Sequence, residues 1–89
     1  MLIALIARDK PGALQIRIDT RDAHVAYLKS SGAVSQAGPL LDAQGQMFGS
    51  LVILEVEDME AAEAWAANDP YLHAGLFEHV ELVPWKKVI

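Results

Sequence analysis

The chain has 89 residues, 53% of them hydrophobic, a formal net charge of −5 and no cysteine. That length fits one small domain over residues 1–89, and so large an apolar share at this size predicts a homo-oligomer that covers part of the surface. The missing cysteines exclude disulfides, thiolate nucleophiles and cysteine-ligated zinc, and the absence of a Lys/Arg-rich stripe interleaved with aromatics argues against nucleic acid as a partner.

Residues 2 to 8, "LIALIAR", form a short apolar run ended by the breaker cluster "DKPG", which predicts a strand. The run is apolar at both parities, so it needs cover on both faces. The apolar start has no preceding basic segment, and no apolar run approaches the roughly 20 residues of a bilayer span. The expectation is therefore a cytoplasmic protein without a membrane partner. From Ala13 to Ser31 the spacing turns helical: Leu14, Ile18, Val25 and Leu28 fall within roughly 80° of one another at about 100° per residue. Arg17, Arg21 and His24 form a row at i, i+4 and i+7 along the border of that stripe. "SSG" at 30–32 stops the helix.

"AVSQAGPLL" reads as a second strand in which Pro39 removes a ladder donor, so it belongs at an edge or a bulge. "DAQG" supplies turn residues before "MFGSLVILEVE", the longest strand signal. There Leu51 and Ile53 share one parity while Val52, Leu54 and Val56 share the other, so both faces again look buried. Asp58 is the expected N-cap of a helix that turns Met59, Ala62, Trp65 and Ala66 to one side. This helix must end near Asn68, because Asp69 precedes Pro70 and is pushed out of the helical region. "FEHVELV" is the last strand, followed by the tail "PWKKVI". The order β-α-β-β-α-β is that of a ferredoxin-like α+β domain, with both helices on one face of a four-stranded antiparallel sheet. The other face stays apolar, and a second copy packed on it would bury it.

The histidines, His24, His73 and His79, show no H-x-H or H-x3-H spacing, so no metal site is expected. No G-x-G-x-x-G or phosphate-loop spacing occurs either, and no cofactor is expected. His24 stands out through its company with two arginines at the core edge, where burial opposes the imidazolium and a carboxylate partner favours it. Asp69 is the candidate partner, because Pro70 restricts the backbone and so fixes where the short carboxylate points. The plain alternative is a turn-forming Asp that bonds its own nearby amides. Arg17 and Arg21 can bind a carboxylate or phenolate, or can pair with Asp22 on an exposed helix surface. Ser50 lacks the strand-turn-helix elbow of a nucleophilic serine and is a pocket hydrogen-bonding group at most. Tyr71, beside the Asp-Pro corner, joins the candidate binding residues.

The segments "RDAHVAYL" (21–28), "AGPL" (37–40), "GSLVI" (49–53), "AEAWAANDPY" (62–71), "AGLFEHV" (74–80) and "PWKKV" (84–88) occur in an order and spacing that resembles the YCII-related (YciI-like) family along nearly the whole chain. The resemblance implies a ferredoxin-like fold forming a dimeric α+β barrel, sheets face to face, similar to muconolactone isomerase. It also implies a His-Asp active-site pair, which falls here on His24 and Asp69. Some relatives eliminate chloride from chlorinated aromatic intermediates, so a cofactor-independent isomerase or lyase acting on a small, aromatic or carboxylate-bearing compound is the leading expectation. A dimeric ligand-binding or accessory module using the same pocket without catalysis is the alternative, and a purely structural dyad is a third. The stretch from His24 to Gly32 is shorter than in many members, which implies an altered pocket mouth.

Overall fold

A computed structural model describes residues 1–89. The chain runs β1 (Leu2–Asp9), α1 (Leu14–Ser30), β2 (Val34–Leu41), β3 (Met47–Glu55), α2 (Met59–Ala67), α3 (Pro70–His73) and β4 (Phe77–Trp85). The four strands form one sheet in the order β2-β3-β1-β4, and every neighbouring pair is antiparallel. This is the ferredoxin-like α+β arrangement that the element order predicts. None of its helices is long and apolar enough to cross a membrane.

Side-chain parity divides the sheet into two unlike faces. Ile3, Leu5 and Ala7 of β1 lie opposite Leu54, Val52 and Ser50 of β3, and the apolar members of this set form the core with Ala62 and Trp65 of α2. One ring contact and two hydrogen bonds lock the end of α1 to α2. The Tyr27 and Trp65 rings lie 4.8 Å apart, the Tyr27 hydroxyl donates to the Trp65 carbonyl at 2.7 Å, and the Trp65 indole donates to Ser31 Oγ at 2.9 Å. The opposite parity, Ala4, Ile6, Leu51 and Ile53, lines a face that no helix covers, and Leu51, Val83 and Trp85 are 39%, 38% and 41% exposed. The expectation that both faces are covered therefore holds for one face only within a single chain.

The sequence pattern misplaces the inward side of α1. Ile18 is 50% exposed, whereas the buried residues of this helix are Arg17 and His24. The polar row lies on the packed face rather than along its border, because β1, β3 and α3 supply partners that a helical wheel cannot see. Arg21, one turn from each, stays exposed. Two other local expectations are met: Asp58 caps α2, its carboxylate accepting from the Ala61 amide at 2.8 Å, and Pro39 falls on an edge strand. The short α3 is an element that the pattern did not suggest. It opens on Pro70 at its first position, where the missing N–H costs nothing.

Candidate functional site

Asp69 has the extended backbone that a residue before proline adopts (φ −67°, ψ 125°) and is the N-cap of α3. Its Oδ1 accepts from the Tyr71 amide at 3.0 Å and from His24 Nδ1 at 2.7 Å. The turn-capping role and the partnership with His24 are thus two uses of one oxygen. An ionised carboxylate only accepts, so His24 Nδ1 carries a proton, and the neutral imidazole in this arrangement has its lone pair on Nε2. Asp69 is 1% exposed and His24 6%. Asp69 Oδ2 is buried with no partner, an arrangement that costs on the order of 1–3 kcal/mol. The imidazole is consequently the sole side-chain donor to this carboxylate.

Tyr71 fixes the other side of the imidazole. The two rings stack with centroids 3.8 Å apart and planes inclined by 14°, while Phe77 packs edge-on against Tyr71 at 5.9 Å. The Arg17 guanidinium lies 4.7 Å from the centre of the same Tyr71 ring, a cation–π distance. Burial pushes the Tyr71 phenol above its ordinary value of 10.0, opposed by the Arg17 and Arg21 charges and reinforced by Asp69. The phenol is therefore protonated at neutral pH.

Arg17 is engaged within the protein. Its Nε and Nη2 each donate to Asp9 at 2.8 Å, and Nη2 also reaches Ser50 Oγ at 2.9 Å. With the Asp9 side chain 6% exposed and that of Arg17 3%, this is a buried, bidentate ion pair, stronger than a neutral hydrogen bond. Asp9 was not among the residues that sequence reasoning selected. The signal existed in principle, since a buried arginine requires a carboxylate, but the helical spacing puts Arg17 at the border, where a ligand anion, or Asp22 on an exposed surface, is the expected partner. Arg21 makes no ion pair with any acid of the chain.

His24, Arg17, Arg21, Ser50 and Tyr71 line one cavity of about 150 Å³, closed by Val25, Leu28, Met47, Val52 and the β2 segment Ala37–Pro39. An apolar cavity of about this volume accommodates a benzene molecule, so the space suits a single aromatic ring. Asp69 stands behind His24, outside that lining. The larger hollow of about 500 Å³ on the open sheet face has no ionisable side chain in its wall, and a groove of about 250 Å³ beside α2 and β4 gathers only Glu63 and Asp69 among apolar residues. The chemistry is concentrated in the smallest of the three. His73 and His79 lie elsewhere: His73 Nε2 is 2.8 Å from the Ala67 carbonyl, and His79 stands across from Arg8 in the sheet. No group of three or more His, Asp or Glu side chains gathers in the arrangement a metal needs.

The YCII-related domain matches residues 1–86. The chain belongs to this family. Protein YciI of Escherichia coli O6:H1 is 42% identical over 97 aligned positions, with 99% of each chain covered. Among solved structures, the chain is similar to 5-chloro-2-hydroxyhydroquinone dehydrochlorinase from Burkholderia phenoliruptrix AC1100 in complex with 2,5-dihydroxybenzoquinone. The TM-score is 0.89 at 37% identity, covering 97% of this chain and 94% of the other. A likeness in fold alone extends to an antibiotic biosynthesis monooxygenase of Bacteriodes thetaiotaomicron, at TM-score 0.62 and 12% identity, covering 100% and 90% of the two chains.

Proposed function

We propose that this YCII-related protein is a cofactor-independent acid/base enzyme that moves protons on a small, oxygenated aromatic or quinone-like ring. The observation that carries this reading is the His24–Asp69 bond of 2.7 Å behind a cavity of about 150 Å³. Asp69 holds the tautomer in which Nε2 is free, and it stabilises the imidazolium once Nε2 has taken a proton. Arg17 is already neutralised by Asp9, so the uncompensated charge at the pocket is that of Arg21, which favours an anionic ring oxygen. Ser50 accepts from Arg17, which leaves its own hydroxyl hydrogen for a ligand.

The likeness to the dehydrochlorinase supports a specific reaction type. On a chlorinated hydroxyhydroquinone, an imidazole that takes a proton from a ring hydroxyl and returns it to the carbon bearing chlorine produces a keto tautomer. A second hydroxyl then loses its proton and becomes a carbonyl, the double bond shifts, and chloride leaves. The net loss is hydrogen chloride, and no outside oxidant is consumed. The same base step without a leaving group is an isomerisation.

The apolar face formed by Ala4, Ile6, Leu51, Ile53, Val83 and Trp85 supports assembly as a homodimer, sheet against sheet. Measuring chloride released from 5-chloro-2-hydroxyhydroquinone tests the enzymatic reading. Wild type is expected to release it, and His24→Gln to lose the activity by at least about 100-fold. Equal release by the two proteins contradicts the role of His24, whereas binding with the compound recovered unchanged from wild type favours the ligand-binding module.

A further inference from the structure

We propose that Tyr71 is a second catalytic residue of this pocket, its phenolic hydroxyl donating a hydrogen bond to the ring oxygen on which negative charge collects while His24 takes a proton from carbon. The proposal rests on the acid/base reading of His24 and assigns the opposite pole of its proton transfer with carbon, which runs toward carbon in the dehydrochlorination and away from it in the exchange step followed below. Few side chains in the molecule are held so completely: the Tyr71 ring is 2% exposed, stacked on His24, edge-packed by Phe77 and faced by Arg17. Its amide is tied to the same Asp69 oxygen that holds His24. One carboxylate oxygen therefore sets both the imidazole and the backbone carrying the phenol.

What remains unused is the hydroxyl. No group of the chain accepts its proton: the side chain that bears on it by hydrogen bonding is Arg17, itself a donor, and the sole enclosed side-chain nitrogen or oxygen lacking a partner is Asp69 Oδ2. Tyr71 lines the cavity together with His24, Arg17 and Arg21. A tyrosine buried only for packing usually bonds its hydroxyl to the protein, as Tyr27 does to the Trp65 carbonyl. In the proposed step a ring carbon that has been protonated, and is tetrahedral in the keto tautomer, gives up a proton: the electron pair of the broken C–H bond moves toward the ring oxygen, the proton goes to His24 Nε2, and Tyr71 keeps its own proton throughout. Arg21, whose charge is uncompensated, adds positive charge around the developing oxyanion. Preorganised donors of this kind act on the transition state, where the charge is greatest.

The test uses 2,5-dihydroxybenzoquinone as the probe and follows, by proton NMR in deuterated water, the exchange of its two ring hydrogens, each on a carbon between an oxygenated pair. Wild type is expected to accelerate exchange, and His24→Gln to abolish the acceleration. Tyr71→Phe, which preserves the ring stack, is expected to slow exchange about 100-fold while the dissociation constant of the probe changes less than about tenfold. Replacing Tyr71 with 3-fluorotyrosine keeps the donor but acidifies the phenol. The groups facing this phenol are Arg17, Arg21, His24 and Asp69, with Asp9 bound to Arg17; all are unchanged by the replacement. The alkaline limb of the exchange profile is therefore expected to move to lower pH, a shift that a packing role does not produce. Full exchange by a folded Tyr71→Phe protein, or an unmoved alkaline limb, overturns the proposal while leaving His24 in place. Absence of acceleration by wild type overturns the acid/base reading and Tyr71 with it.

Discussion

Arg17 shows how far a single residue departs from its helical-wheel position once partners exist. A guanidinium does not enter a core alone, because a desolvated charge without a counter-ion is costly; the Asp9 carboxylate, 2.8 Å away and equally enclosed, makes burial tolerable. Removing that carboxylate strands the charge. Asp9→Ala is expected to lower unfolding stability by about 3–5 kcal/mol, measured by urea denaturation, and a loss under about 1 kcal/mol contradicts the pairing. Buried Tyr71 and half-buried Tyr27 yield a pH dependence of definite sign. Burial raises the phenols of both Tyr27 and Tyr71 above 10.0, with Asp69 adding to the effect. Their contribution to stability is present in full below pH 10 and disappears as pH rises through the folded-state values. Tyr27→Phe is expected to reduce this alkaline loss of stability in thermal melts, and an unchanged pH profile contradicts the assignment.

At the level of elements, the site depends on how closely β3 approaches β1. Ser50 reaches Arg17 because β3 lies tightly against β1 at Gly49, where an added Cβ would collide with the Ala7 carbonyl. Backbone cannot rotate out of the way as a side chain can. Gly49→Ala is expected to cost about 1–3 kcal/mol and to weaken binding of aromatic probes, read together by calorimetry; a fully stable variant contradicts the tight strand contact. Much of this architecture was legible beforehand. The strands announced themselves through β-rich apolar runs between breakers, and the Asp58 cap and the Asp69-Pro70 corner carry local chemistry that needs no tertiary information. The inward face of α1 was not legible, because Ile16 and Ile18 are apolar but outside while Arg17 and His24 are polar but inside. Their burial is decided by Asp9, 8 positions away, and Asp69, 45 positions away. Likewise α3, with 4 residues, is too short to show a period. Its Asp-Pro start was visible, but the helix itself was not.

The whole molecule places the cavity beside its exposed apolar sheet face. The β2 segment Ala37–Pro39 contributes to both, forming part of the cavity wall on one side and part of the 500 Å³ hollow on the other. Sheet-to-sheet association would therefore stiffen an edge strand that also closes the pocket. Leu51→Glu, which puts a charge at the centre of the open face, is expected to shift the protein to monomers in sedimentation velocity and to loosen aromatic-probe binding. A variant that stays dimeric contradicts association through this face. The helices cover one side of the four-stranded sheet, so part of the 53% apolar composition of these 89 residues is left on the open face.

On the proposed reading the site reduces to an imidazole whose Nδ1 is committed to Asp69 and whose Nε2 takes up the proton of a ring bound in the cavity. Long-range proton–nitrogen NMR of His24, recorded with and without 2,5-dihydroxybenzoquinone, measures both halves at once. The expected result is an Nδ1–H tautomer in the free protein, with a ligand-induced shift concentrated on Nε2 and lost in Asp69→Asn. An Nε2–H tautomer in the free protein, or a saturating ligand that leaves Nε2 unmoved, contradicts it.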